Sequence, residues 1–127
     1  MQKFKNIIIG FGKGGKTLAK QFSKRNEEVL LIEKSSSMYG GTCINIGCLP
    51  SKSLISNAEK QVSFEVVVKE KDEMVSYLRN KNYHLLADDP MIKVLDGKAR
   101  FLSDSILEIE LPDKSCIRVT GERIFIN

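Results

Sequence analysis

Residues 6–33 read NIIIGFGKGGKTLAKQFSKRNEEVLLIE, and their order decides the fold class. Asn6 to Ile9 is an apolar run of strand length, and the glycine-rich GFGKGG from Gly10 to Gly15 follows at once. Lys16 to Lys24 then places Leu18, Ala19 and Phe22 on one helical face, and Val29–Ile32 reads as a short buried strand ending at Glu33. Strand, G-x-G-x-x-G, helix, strand and acid in that order form a dinucleotide-binding unit. Gly10 is expected to make the tight turn, Gly12 to let the backbone approach a pyrophosphate, and Gly15 to let helix and strand pack closely. The helix N-terminus offers free N–H groups to the phosphate charge. Glu33 can accept hydrogen bonds from a ribose and disfavours a 2′-phosphate, so an FAD or NAD adenosine suits it better than NADP. Lys13, inside the loop, reads as a solvated lysine.

Downstream, residues 40–52 read GGTCINIGCLPSK. A disulfide needs Cα atoms roughly 4.4–6.8 Å apart. Five residues along a regular helix rise about 7.5 Å, so Cys43 and Cys48 cannot pair within an ideal helix. The backbone between them must be distorted, and Gly47 is expected to supply the freedom. Pro50 belongs in a first helical turn, so a regular helix should begin near Cys48 and run through Ser51, Lys52, Leu54 and Ile55. Cys48 then sits at a helix N-terminus, where a thiolate is favoured, with Lys52 one turn on. This makes Cys48 the candidate for the electronically active thiol and Cys43 the candidate for exchange with a substrate. Other readings of these residues exist. Two free buried cysteines are common inside cells, but they leave the glycine pair, Gly47 and the Pro-x-Lys context unexplained. A secreted structural disulfide fits poorly with an odd count of three cysteines and no export signal. Zinc held by Cys43, Cys48, Cys116 and His84 lacks a second closely spaced ligand pair.

Composition excludes little but is informative. At 127 residues the chain is one domain's worth, and 42% hydrophobic with 28% charged residues is ordinary for a globular protein. No apolar run approaches the ~20 residues of a membrane span, and the expected compartment is the cytoplasm, where thiols stay reduced. A net charge of +4, without tryptophan or a basic cluster alternating with aromatics, gives nucleic-acid binding no support.

After the dithiol helix, residues from Phe64 to about Ala87 read as a second long helix, with Phe64, Val67 or Val68, Met74 or Val75, and Leu78 on its apolar face. Asp88-Asp89-Pro90 ends it, and Ile92 to Asp96 reads as a third parallel strand. Arg100–Leu102, Ile106–Leu111 and Cys116–Val119 follow as a three-stranded antiparallel meander, with Cys116 facing the core. Arg123–Ile126 is expected to return as a separate fourth parallel strand. His84, the only histidine, reads as a surface or half-buried helix residue.

The two motifs together resemble the class I pyridine nucleotide–disulfide oxidoreductases, the family of dihydrolipoamide dehydrogenase, glutathione reductase and mercuric reductase. GGTCINIGCLPSK is similar to that family's redox-disulfide signature, and GFGKGG with Glu33 to its FAD fingerprint. FGKGGKTLA, MYGGTCINIGC, YLRNKNYHLLAD and GERIFIN resemble a bacterial branch of reactive-chlorine-resistance flavoproteins, copper(II) reductases related to mercuric reductase. The fold implied is α/β: a partial Rossmann-like FAD-binding domain whose parallel sheet carries a three-stranded antiparallel meander. Residues 1–127 would be the N-terminal segment of that domain, ending in mid-fold, with the nicotinamide-nucleotide and dimerisation domains of the family unmatched. The resemblance implies a redox disulfide Cys43–Cys48, Cys48 beside the flavin and Cys43 as interchange thiol. Gly10, Gly12, Gly14, Gly15, Glu33, Lys34, Gly41, Thr42, Lys52 and Ala99 are the implied cofactor contacts, and no resident metal is implied. The parent enzyme would be a homodimer passing electrons from NAD(P)H through FAD to a small-molecule disulfide or a metal ion, with a part in cell redox homeostasis. The segment alone is expected to be inactive. The contrasting expectation is a nucleotide-binding module, or an inert fragment, with no redox role.

Overall fold

The computed structural model describes all 127 residues. Strand β1 (Gln2–Ile9), helix α1 (Lys13–Lys24) and strand β2 (Val29–Glu33) form a βαβ unit. The two strands run parallel in register from Asn6 opposite Val29 to Ile9 opposite Ile32. Every residue of β2 is buried, because the sheet is covered on both faces here. A short helix α2 (Thr42–Asn45) and a regular helix α3 (Cys48–Glu59) follow, and α4 (Phe64–Ala87) leads into β3 (Ile92–Asp96), parallel to β2.

Strands β4 (Lys98–Phe101), β5 (Ile106–Glu110) and β6 (Cys116–Ile126) complete one six-stranded sheet of order β3-β2-β1-β6-β5-β4. Two expected strands prove to be one. Residues 116–126 form a single strand that pairs antiparallel with β5 through Cys116–Thr120 and parallel with β1 from Val119 onward. Gly121 does not break it. A side chain there would strike Ile7, with Cδ1 at 2.8 Å from the added Cβ, so this glycine serves close packing between strands. Strand alternation also corrects Cys116. Val119 and Gly121 point inward, which turns Cys116 and Arg118 outward, and the thiol is exposed rather than in the core.

Two apolar clusters cover the two faces. Ile8, Leu31, Ala19, Phe22, Tyr39 and Leu86 join α1 and α4 to one face. Ile7, Leu30 and Ile32 meet Leu107, Ile109 and Val119 of the meander on the other. Helix α4 occupies the expected span, and the expected apolar face holds at Val67 and Val75 but not at Phe64. Val67, Val75, Asn82 and Leu86 are buried, whereas Phe64 is 78% exposed. A 24-residue helix is about 36 Å long and a five-residue strand about 17 Å, so the first turn of α4 overhangs β3. No helix is long and apolar enough to cross a membrane.

The turn after α4 is tied to α1 by Asp89. Its carboxylate accepts hydrogen bonds from Lys20 Nζ (2.8 Å), Ser23 Oγ (2.7 Å) and the Met91 N–H (3.0 Å). These donors, Lys20 foremost, hold the Asp89 carboxyl down at about 2.

Two stability outcomes follow from this packing. Leu86→Ala should lower the unfolding free energy by about 3 kcal/mol, while Phe64→Ala should stay within about 0.5 kcal/mol of the parent chain, both read from urea titrations. Asp89→Asn should cost roughly 1.5 kcal/mol at neutral pH. Because the folded carboxyl is depressed below 3.8, that gap should narrow as pH falls from 3.8 toward about 2, as acid titrations of both chains would register.

Candidate functional site

The glycine loop joins β1 to α1. Gly10 stands at φ +108, a left-handed value that favours glycine, and turns the chain at the end of β1. The Phe11 N–H then donates to Glu33 Oε2 at 2.9 Å, and the Ser35 N–H donates to Glu33 Oε1 at 3.1 Å. Glu33 is thereby buried and oriented at the end of β2, with lone pairs left on both oxygens for a bound hydroxyl. Helix α1 begins at Lys13, earlier than expected, which leaves the N–H groups of its first turn without intrahelical acceptors. These groups and the helix dipole make an anion site. Gly15 packs under the loop, where a side chain would collide with the Gly10 carbonyl and Ile8. Beneath the loop Asn127 closes the arrangement, its N–H donating to the Ile9 carbonyl at 2.8 Å and its Nδ2 to the Gly10 carbonyl at 3.2 Å.

The dithiol segment is held over this loop. Tyr39 stacks between Phe11 (5.4 Å between centroids) and Tyr83 (4.8 Å), and its hydroxyl donates to Asp96. Burial and that carboxylate push the Tyr39 hydroxyl far above the usual phenol range, so it stays protonated. Gly40 and Gly41 then adopt φ +91 and +93. Gly47 lies in the break between the thiols as the N-cap of α3 but keeps φ −106 and has room for a side chain, its nearest contact being the Thr42 carbonyl at 3.7 Å. The left-handed freedom is spent before Cys43 rather than between the cysteines. A Cβ on Gly41 would lie 2.9 Å from Gly12 Cα, so the two glycine backbones touch.

The distortion required between the thiols is present as a break. Helix α2 ends at Asn45, with the Thr42 carbonyl accepting from both the Ile46 and Gly47 N–H groups, and α3 begins at Cys48. Pro50 lies in the first turn of α3, as expected. Cys43 and Cys48 are both unpaired and exposed. A hydrogen bond to Cys48, partial desolvation and the charge of a Cys48 thiolate push the Cys43 thiol up, against the pull of Lys13 and Lys52.

One cleft of about 770 Å³ joins the two motifs. Gly10, Gly12, Gly14, Glu33, Lys34, Gly41, Thr42, Cys43 and Ala99 line it, all anticipated from sequence. Gly15 lies beneath the loop, while Cys48 and Lys52 sit on α3 outside the lining. Lys13, Met38 and Asn127 also line the cleft. Met38 and Asn127 are not singled out from the sequence, since one ends a single 3₁₀ turn at Ser36–Met38 and the other reaches the loop only through strand pairing. His84 is exposed beside Asp88 on α4 and Cys116 is on β6, so no group of three or more His, Cys, Asp and Glu side chains assembles a metal site. The cleft fits an elongated ligand with an anionic middle, a hydroxyl-bearing sugar at the Glu33 end and a group sensitive to thiols at the Cys43 end.

Comparison with known proteins agrees with this geometry. The family described as pyridine nucleotide-disulphide oxidoreductase matches residues 4–125. Over its whole length the chain is 49% identical to the probable pyridine nucleotide-disulfide oxidoreductase RclA of Escherichia coli, of which it covers 29%. It is 33% identical to dihydrolipoamide dehydrogenase of Chaetomium thermophilum, over 94% of this chain and 27% of that one. With mercuric reductase of Bacillus cereus it shares 30% identity over 81% of this chain and 19% of that one. Among solved structures, the Cu(II) complex of the HOCl-induced flavoprotein disulfide reductase RclA from Escherichia coli superposes on the whole chain with a TM-score of 0.96, at 49% identity and over 29% of its own length. The chain therefore spans less than a third of each of these relatives. With the glycine loop, Glu33 and Cys43 on one cleft, and a family match over residues 4–125, this chain belongs to the pyridine nucleotide-disulphide oxidoreductases.

Proposed function

We propose that residues 1–127 are the first segment of an FAD-binding domain whose cleft joins FAD to a redox-active Cys43–Cys48 pair. The contact between Gly41 and Gly12 carries this reading, because it brings Cys43 to the same cleft as Glu33 and the N-terminus of α1. When bound, FAD supplies a two-electron centre that connects a reduced nicotinamide to the dithiol. The unpaired N–H groups of α1 hold the pyrophosphate, Glu33 takes the ribose hydroxyls, and Lys34 and Ala99 flank the adenosine. Gly41 and Thr42 border the central part of the cofactor, and Lys52 places its charge near the reactive end.

The thiols divide the work by position. Cys43, exposed at the cleft, attacks one sulfur of a disulfide substrate and expels the other as a thiolate. Cys48 then attacks the Cys43 sulfur of the mixed disulfide, which releases the second thiol and closes the Cys43–Cys48 bond. Two electrons pass to the substrate in this sequence. Lys13 and Lys52 favour the thiolate that Cys43 needs for attack. A metal ion is the other substrate class we propose, supported by the mercuric reductase relatives and by the Cu(II) complex of RclA. The full-length protein is proposed to be a homodimer that works in the cytoplasm.

Titrating FAD into the purified chain should quench flavin fluorescence to saturation. Gly12→Val should abolish the quench, and Glu33→Gln should weaken binding about tenfold, the loss of one charged hydrogen-bond acceptor. Unchanged fluorescence at every concentration would sink the reading. For the thiols, iodoacetamide labelling of Cys43 followed by mass spectrometry across pH should show a midpoint above that of free cysteine. Cys48→Ala should lower that midpoint and Lys52→Ala should raise it, following the signs of the two influences.

A further inference from the structure

The left-handed turn at Gly40–Gly41 is made of two glycines, the most flexible residue a chain can use, and one side chain at the end of α2 is placed to hold it. Asn45 Nδ2 donates to the Tyr39 carbonyl at 2.9 Å and to the Gly41 carbonyl at 2.8 Å. The Asn45 backbone N–H also reaches the Gly41 carbonyl, at 3.2 Å. The two amide hydrogens therefore bracket both left-handed glycines, one on each side. The amide is aimed from outside: Arg79 Nε on α4 donates to Asn45 Oδ1 at 2.8 Å. With Oδ1 taken by a guanidinium, the amide cannot flip without setting its oxygen against two carbonyls.

A second amide on α4 supports the same turn from below. Asn82, buried, accepts from Lys16 Nζ at 2.7 Å and donates to the Leu78 carbonyl at 2.8 Å. Its Cγ lies 3.3 Å from where a Cβ on Gly40 would be. Helix α4 thus holds the turn through Arg79 on one side and Asn82 on the other, although neither residue lines the cleft.

We infer that Arg79, acting through Asn45, is a positioning residue for the dithiol: it holds the Gly40–Gly41 turn in the shape that sets Cys43 within bonding reach of Cys48. The inference rests on the redox-disulfide reading above. Arg79 touches neither thiol, and its effect is on the equilibrium between dithiol and disulfide. A turn that is free to relax lets Cys43 wander, so the closed disulfide loses part of its advantage over two separate thiols.

The test is redox equilibration of the 127-residue chain in mixtures of reduced and oxidised glutathione. Oxidised glutathione takes two electrons and two protons from Cys43 and Cys48 and leaves as two molecules of reduced glutathione. The disulfide fraction is read by trapping free thiols and weighing the products. Arg79→Met keeps the length of the side chain and removes the donor, and should lower the equilibrium constant for disulfide formation about tenfold. Arg79→Lys keeps a donor on Asn45 Oδ1 and should recover most of that loss. Asn45→Asp, isosteric and unable to donate to the two carbonyls, carries the same test from the other end should Arg79→Met fail to fold. Equal constants for the Met variant and the parent chain would overturn the positioning role and leave the redox reading standing. Equal losses in the Met and Lys variants would overturn it too, since the donor would then not matter. A parent chain that forms no intramolecular disulfide at any glutathione ratio would overturn the redox reading, and this inference with it.

Discussion

The backbones of Gly12 and Gly41 touch, and the organisation of this protein depends on that contact. Neither residue has a side chain to keep the segments apart, so two loops from different parts of the chain close over one cleft. A side chain at Gly41 would wedge the dithiol segment away from the glycine loop, whereas one at Gly12 would strike Asn127 beneath it. The contact is reinforced at a distance by Tyr39, stacked between Phe11 of one loop and Tyr83 of α4 and bonded to Asp96 at the end of β3. Three elements remote in sequence are thus keyed to one another by an aromatic stack and a pair of glycines. The chemistry at the cleft depends on this keying, because an isolated glycine loop binds anions but brings no thiol to them.

The sheet provides the rigid base for that contact. Strand β6 serves two neighbours at once, antiparallel to β5 and parallel to β1, and so fuses the meander to the βαβ unit. Its last residues run beside the end of β1, and Asn127 meets the underside of the glycine loop there. The side chains of Leu107, Ile109 and Val119 share a cluster with Ile7, Leu30 and Ile32, which covers the face that α1 and α4 leave open. Burying both faces is what allows Ile7–Ile9 of β1 and Val29–Ile32 of β2 to be continuous apolar runs. Charge is arranged around this core more loosely. Lys13 at the start of α1 and Lys52 on α3 both act in the same direction on the Cys43 thiol.

Much of this was legible along the chain because it is local. Strand, glycine loop, helix and acid follow one another within residues 6–33, so period and spacing sufficed to read the βαβ unit. The start of α3 at Cys48 followed from Pro50, whose ring confines it to a first turn. The errors were non-local. The strands expected at Cys116–Val119 and Arg123–Ile126 are one, and Gly121 between them accommodates Ile7, a residue 114 positions earlier in the chain. Phe64 fits a helical apolar stripe, yet whether a stripe is covered depends on how far its partner extends. The break between the thiols at Gly47 is local and legible, whereas the left-handed turn at Gly40 and Gly41 depends on what the loop must lie against.

By itself, then, the sequence determined the element types, the glycine loop with its acid, and the dithiol with its helix entry, since each depends on residues within a turn or two of one another. Tertiary structure decided which faces are buried, that residues 116–126 are one strand, and that α4 supplies Arg79 and Asn82 to steady the dithiol turn. It also decided that one cleft unites the two motifs. These depend on contacts between residues far apart in the chain, which only the packing of helices on a completed sheet can bring together.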